Sequence, residues 1–160
     1  MLRSILIYGV IAGLIVGLPW VLPIQSSVPA QYSMLFGYGV MVVAFSTIFV
    51  AVKQYRDQTL GGVIKFLPAF GIGLGISVIA GLFYVGSWEF VMSSMGSGVM
   101  DSYFDAPVAA ARAKGASDME IAKLMQQAVE MKANYANPIY RMVSTFFTEI
   151  FPVGLIISLI

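Results

Sequence analysis

The sequence predicts an all-α protein, a four-helix transmembrane bundle with an outer helical hairpin between spans three and four. Three observations carry that prediction. Apolar residues make up 59% of the chain and charged residues 11%, whereas soluble domains run near 25% charged. Four apolar stretches each approach the ~20 residues that cross a bilayer core at ~1.5 Å per residue. Between the third and the fourth, one polar segment carries apolar residues at helical spacing. The chain accordingly divides into spans one to three over residues 1–90, an extracytoplasmic helical segment over 91–137 and span four over 138–160.

Span one covers residues 5–24, behind Arg3. Small residues at Val28 and Ala30 resemble a signal-peptide cleavage site, but the apolar run exceeds the ~7–15 residues of a signal peptide, so a retained helix is expected. Pro19 and Pro23 are expected to kink or end it, with Trp20 at the interface. A polar link over 25–32 leads to span two, 34–52. A short polar turn, 53–62, then joins span two to span three, 66–88, as an antiparallel hairpin. Pro138 opens span four, 139–160, at a position that suits a helix start.

Arg3, Lys53, Arg56 and Lys65 fall on one side of these spans, and the 25–32 link on the other side holds no Lys or Arg. The positive-inside rule therefore predicts cytoplasmic termini and a cytoplasmic turn, with 91–137 translocated. Lys53, Arg56 and Lys65 read either as topology determinants or as contacts for an anionic headgroup or a cytoplasmic partner.

In the polar segment, residues 93–98 are rich in Gly and Ser and predict a flexible exit. A turn or helix is expected over 108–114, stopped by Gly115. Ser117 and Glu120 form a capping box. Ile121, Leu124, Met125, Ala128, Met131 and Tyr135 then make one apolar stripe. That face would lie on the membrane surface or dock another protein, a use that suits methionine.

Two small-residue faces stand out inside the membrane. Gly9, Gly13 and Gly17 recur every four residues in span one, as do Gly71 and Gly75 in span three. Such faces let helix backbones approach closely, either within the bundle or toward a partner. Glu149 sits near mid-span, where a carboxylate is expensive. It reads as a protonated group bonded to Ser46, Thr47 or Ser77 at similar depth, as a proton or cation site, or as the mate of a basic residue on a partner. Pro152 would loosen the backbone nearby. Glu89 and Arg141 end and begin antiparallel spans at one level and predict an interface ion pair, flanked by Trp88 and Tyr140.

The chain has no Cys and no His. This excludes disulfides, thiol catalysis, Cys/His zinc sites and histidine-ligated haem. With a net charge of +1 there is no basic face for nucleic acid. No cofactor, no metal and no enzymatic activity are expected, since no catalytic constellation assembles. The expected partners are membrane lipids and either a membrane protein or further copies of the chain. Two functions remain open, an accessory or scaffold subunit that associates laterally with a membrane complex, and a homo-oligomeric transporter or ion pathway through Glu149.

The run Ala44-Phe45, Ile48-Phe49, Lys53-Gln54-Tyr55-Arg56-Asp57, Gly61-Gly62, Phe66 and Ala69-Phe70-Gly71 resembles the centre of a bacterial family of small four-span membrane proteins. Tyr84, Trp88-Glu89 and the closing Glu149-Ile150-Phe151-Pro152-Val153-Gly154-Leu155-Ile156 extend that resemblance over nearly the whole chain. The family is known as a domain of unknown function. The resemblance implies a bacterial inner-membrane protein and a basic tail after Ile160, and supplies no activity.

Overall fold

The chain is helical, with no strand among the described residues. The computed structural model describes residues 1–22, 24, 27–94 and 98–160. The expectations placed on Pro23, on the 25–26 part of the link and on the exit at 95–97 lie outside those residues. The helices are α1 (Leu2–Val21), α2 (Ala30–Thr59), α3 (Phe66–Ser94), α4 (Gly98–Ala113), α5 (Asp118–Tyr135), α6 (Pro138–Thr145) and α7 (Phe151–Leu159), with a π-helical turn at Phe146–Ile150 between the last two. Four helices are long and apolar enough to cross a membrane: α1, α2, α3 and the continuous Pro138–Leu159. The protein is a multi-pass membrane protein with an all-α transmembrane bundle.

Two compact units emerge: Met1–Phe90 with Ser144–Ile160, and Val91–Val143. The core of the first comes from α1, α2, α3 and the end of the chain. Phe45, Ile72, Ile76 and Ile150 are fully buried there, with Ala12, Val16, Ala44, Ile48 and Ala80 around them. Outward-facing positions are almost all apolar too, as a lipid-facing surface requires.

α2 corrects an expectation. The polar turn at 53–62 is not a turn, because α2 continues through Lys53, Arg56 and Asp57 to Thr59. Lys, Gln and Arg are good helix formers, so the helix outlasts its apolar portion. It stops at Gly61 and Gly62, whose φ of +68° and +100° suit glycine, and the Gly62 N–H donates back to the Arg56 carbonyl at 3.0 Å. The connection to α3 is therefore only Leu60–Lys65. Likewise α1 runs through Pro19 and ends at Val21. Asn137, not anticipated, caps α6 ahead of Pro138, its Oδ1 accepting from the N–H groups of Ile139 (3.0 Å) and Tyr140 (3.4 Å).

The second unit is a hairpin of α4 and α5. α4 starts at Gly98, ten residues earlier than the expected 108, and contains Pro107. Gly115 ends it in the left-handed region (φ +71°), with Ala116 N–H on the Ala111 carbonyl and Gly115 N–H on the Arg112 carbonyl, a Schellman closure. Ser117 then caps α5, its Oγ accepting from Glu120 N–H at 3.3 Å. Phe104, Val108 and Ala128 are buried between the helices, packed by Ile121, Leu124 and Tyr135. Most of the apolar stripe is thus used inside the hairpin, while Met125 and Met131 are exposed. Ser117→Ala should cost about 1 kcal/mol, seen as roughly five-fold faster subtilisin cleavage within the hairpin; unchanged cleavage would show the cap to be idle.

Lys132 of α5 bridges Asp101 (3.1 Å) and Asp105 (3.0 Å) of α4. Hydrogen bonds to Asp105 and then Asp101 hold its ammonium above the usual lysine value of 10.5. A group raised on folding stabilises fully below its unfolded value and loses that contribution as pH rises through the folded value. The hairpin should therefore become more open to cleavage above about pH 10.5, and Lys132→Met, already lacking the bridge, should lose that step. Parallel pH profiles for the two chains would refute the assignment.

Candidate functional site: the mid-span carboxyl

Glu149 lies halfway along the 22-residue helix Pro138–Leu159, inside the π-helical turn. The local sequence accounts for that turn. Pro152 has no N–H, and its ring crowds the carbonyl four residues back. The chain accommodates this with a wider turn in which the Phe151 N–H reaches the Phe146 carbonyl, five residues back. Phe146 stacks on Phe151 at 5.4 Å across it.

The partner of Glu149 is Tyr84 of α3, whose hydroxyl donates to Oε2 at 2.9 Å. This replaces the bonding expected from Ser46, Thr47 and Ser77. Those hydroxyls donate instead to carbonyls of their own helices, at Val43, Ala44 and Gly73, the common fate of Ser and Thr inside a helix. Tyr84 is buried and Glu149 is partly exposed. Trp20 of α1 packs edge-on against Tyr84 (6.2 Å) and Trp88 (4.9 Å).

Antiparallel register extends the site by one turn. Trp88 follows Tyr84 by four residues on α3, and Thr145 precedes Glu149 by four on the last span. The Trp88 Nε1 and Thr145 Oγ1 atoms are both buried without a hydrogen-bond partner among the described residues. Unpaired buried donors are rare and call for an explanation. A cavity of about 20 Å³ adjoins Tyr84, bounded by Val16, Trp20, Val40 and Met41. Beyond it, Phe45, Ile72, Ile76 and Ile150 close the core.

The glycines of spans one and three face side chains of this same chain. A Cβ on Gly9 would stand 2.8 Å from Ile79 Cβ, and one on Gly13 would stand 2.6 Å from Phe83 Cγ. Gly17 approaches Ser87, Gly75 approaches Ile5, and Gly71 lies by Met1. On another face of α3, Gly73 meets Ser158 and Gly81 meets Phe146, while Ser77 fits against Gly154. α3 is thus clasped by α1 on one side and by the last span on the other.

The remaining candidates fall on other elements. Lys53 and Arg56 stand on the polar end of α2, where Arg56 Nε pairs with Asp57 at 2.7 Å, and Lys65 precedes α3. Glu89 belongs to the first unit. Arg141 belongs to the second, where its guanidinium donates to the Tyr135 carbonyl at 2.7 Å. No group of three or more acidic side chains gathers among the described residues.

Sequence reading missed Tyr84 because it searched for short hydroxyls at the depth of Glu149. The signal was present, since Tyr84 carries a hydroxyl on a longer arm in the neighbouring span. Chemically, the arrangement is a carboxyl held by the Tyr84 hydroxyl on one side and partly exposed on the other, set on a backbone turn of unusual width. It can accept a further donor or a cation from outside the chain.

A family model described as Protein of unknown function (DUF4199) matches residues 5–160. No curated protein and no solved structure matches the chain.

Proposed function

The chain belongs to the DUF4199 family, and from that premise we propose that it is a small, non-enzymatic accessory or scaffold subunit that associates laterally with a membrane protein complex. One observation carries the proposal. Glu149 is partly exposed at mid-span with a single donor, Tyr84, among the described residues. A carboxyl there is costly in lipid, and a polar group on a neighbouring helix offsets that cost. The glycine faces support the same choice of surface. They are filled by Ile79, Phe83, Ser87 and Ile5 of the chain itself, which favours the last span, with Ile156 exposed two helical turns on from Glu149, as the lateral contact. The reading includes cytoplasmic termini and an extracytoplasmic 91–137 segment, supported by Arg3, Lys53, Arg56 and Lys65, and a bacterial inner membrane, which is what the family resemblance implies.

Extraction of the chain from its native membrane into nanodiscs, followed by mass determination, tests this. A complex of fixed stoichiometry with a different membrane protein is expected, and Glu149→Leu should release it. A homogeneous homo-oligomer with nothing else bound would overturn the accessory role. It would favour the second reading, a homo-oligomeric ion or proton pathway. That reading draws on the wide turn and Pro152 beside Glu149, and it requires ion flux that Glu149→Gln abolishes.

A further inference from the structure

A second feature lies at the other end of α2. A cleft of about 260 Å³ opens between α2, the Leu60–Lys65 connection, the start of α3 and the end of α7. Its walls are apolar: Ile48, Phe49 and Val52 on one side, Phe66 and Ile157 on the other. Phe49 and Phe66 are each about half exposed (49% and 58%), so the cleft is open toward the flank of the bundle. Lys53 and Arg56 line it as well. They are three residues apart and so share one helix face, and they reach it only because α2 continues beyond its apolar stretch.

Charge is not balanced there. Asp57 engages the Arg56 Nε and leaves the outer guanidinium nitrogens available. Lys53 makes no ion pair among the described residues. An apolar slot with two cations at its polar end is complementary to an amphiphile that has an apolar chain and an anionic head. A soluble phosphate would use the cations and gain nothing from the walls, and a zwitterionic lipid would bring its own ammonium against Lys53 and Arg56.

We propose that this cleft binds one anionic phospholipid, with an acyl chain between Phe49 and Phe66 and the phosphate on Lys53 and Arg56. The site is independent of Glu149 and of any protein partner.

The full chain, reconstituted in nanodiscs of equal phosphatidylcholine and phosphatidylglycerol, is released for native mass spectrometry and its retained lipids are counted. One phosphatidylglycerol per chain is expected, enriched about ten-fold over phosphatidylcholine. The charge-removing pair Lys53→Gln with Arg56→Gln should bring enrichment to near one. The charge-keeping pair Lys53→Arg with Arg56→Lys should preserve most of it, which separates loss of charge from loss of fold. Equal retention of the two lipids by the unaltered chain would overturn the site, as would enrichment that survives the glutamine pair. Displacement of phosphatidylglycerol by millimolar glycerol phosphate would also overturn it, because the apolar walls would then contribute nothing.

Discussion

Gly13→Leu is expected to destabilise the bundle by at least about 2 kcal/mol, at the upper end of what overpacking costs. At Gly13 even a Cβ would stand 2.6 Å from Phe83 Cγ and 2.8 Å from Phe83 Cβ. The second of those atoms is fixed to the α3 backbone, so no rotamer change relieves the contact and the helices must move apart. In lipid there is little hydrophobic drive to offset that movement, since association rests on close van der Waals contact. The comparison is Gly37→Leu on α2, where an added Cβ has nothing within 4 Å and little change is expected. Titration with a denaturing detergent, followed by fluorescence from the Trp20–Trp88 pair, measures both. If the two variants unfold at the same midpoint, the α1–α3 clasp is not what holds the bundle.

Glu149→Leu should do the opposite to the isolated chain, raising its stability by about 2 kcal/mol as a costly polar group leaves the membrane interior. Tyr84→Phe should lower stability by removing the hydroxyl that donates to Glu149. The double-mutant cycle with Glu149→Gln should then return a coupling of about 0.6 kcal/mol, the average for hydrogen bonds between membrane helices, and no more than about 1.7 kcal/mol, the largest of them. A variant that is more stable yet releases its partner is the signature of a residue kept for function at the expense of stability. Were Glu149→Leu to destabilise the purified chain instead, the carboxyl would be a structural strut, and the lateral contact would have to lie elsewhere.

Much of this architecture could be read from residues alone. The four apolar spans follow from length and composition, and the Ser117 cap and Gly115 stop follow from short motifs with a local cause. What escaped was governed by tertiary context. Nothing in a bilayer-length count reveals that α2 continues through Lys53–Thr59, because a helix leaving the membrane keeps its hydrogen bonds and solvates its side chains. α4 was hidden at its start by glycine and serine, which carry low helix propensity, and it is secured by Phe104 and Val108 packing on α5. The π-helical turn has no period of its own. Pro152 hints at trouble in the ladder, but how the chain resolves it depends on Phe146 against Gly81 and Ser77 against Gly154. Tyr84 and Glu149 are 65 residues apart, and only the antiparallel register brings them level.

The clasp of α1 on α3 also constrains how the protein is made. The surface that fills the Gly9–Gly13–Gly17 stripe is not synthesised until α3 is complete, roughly 70 residues after α1 ends. At about 5–20 residues per second the first helix waits several seconds in the bilayer with that groove filled by lipid tails or by the insertion machinery. Assembly is therefore gated by translation, and a pause between α2 and α3 would prolong the interval in which this groove is open to the wrong helix.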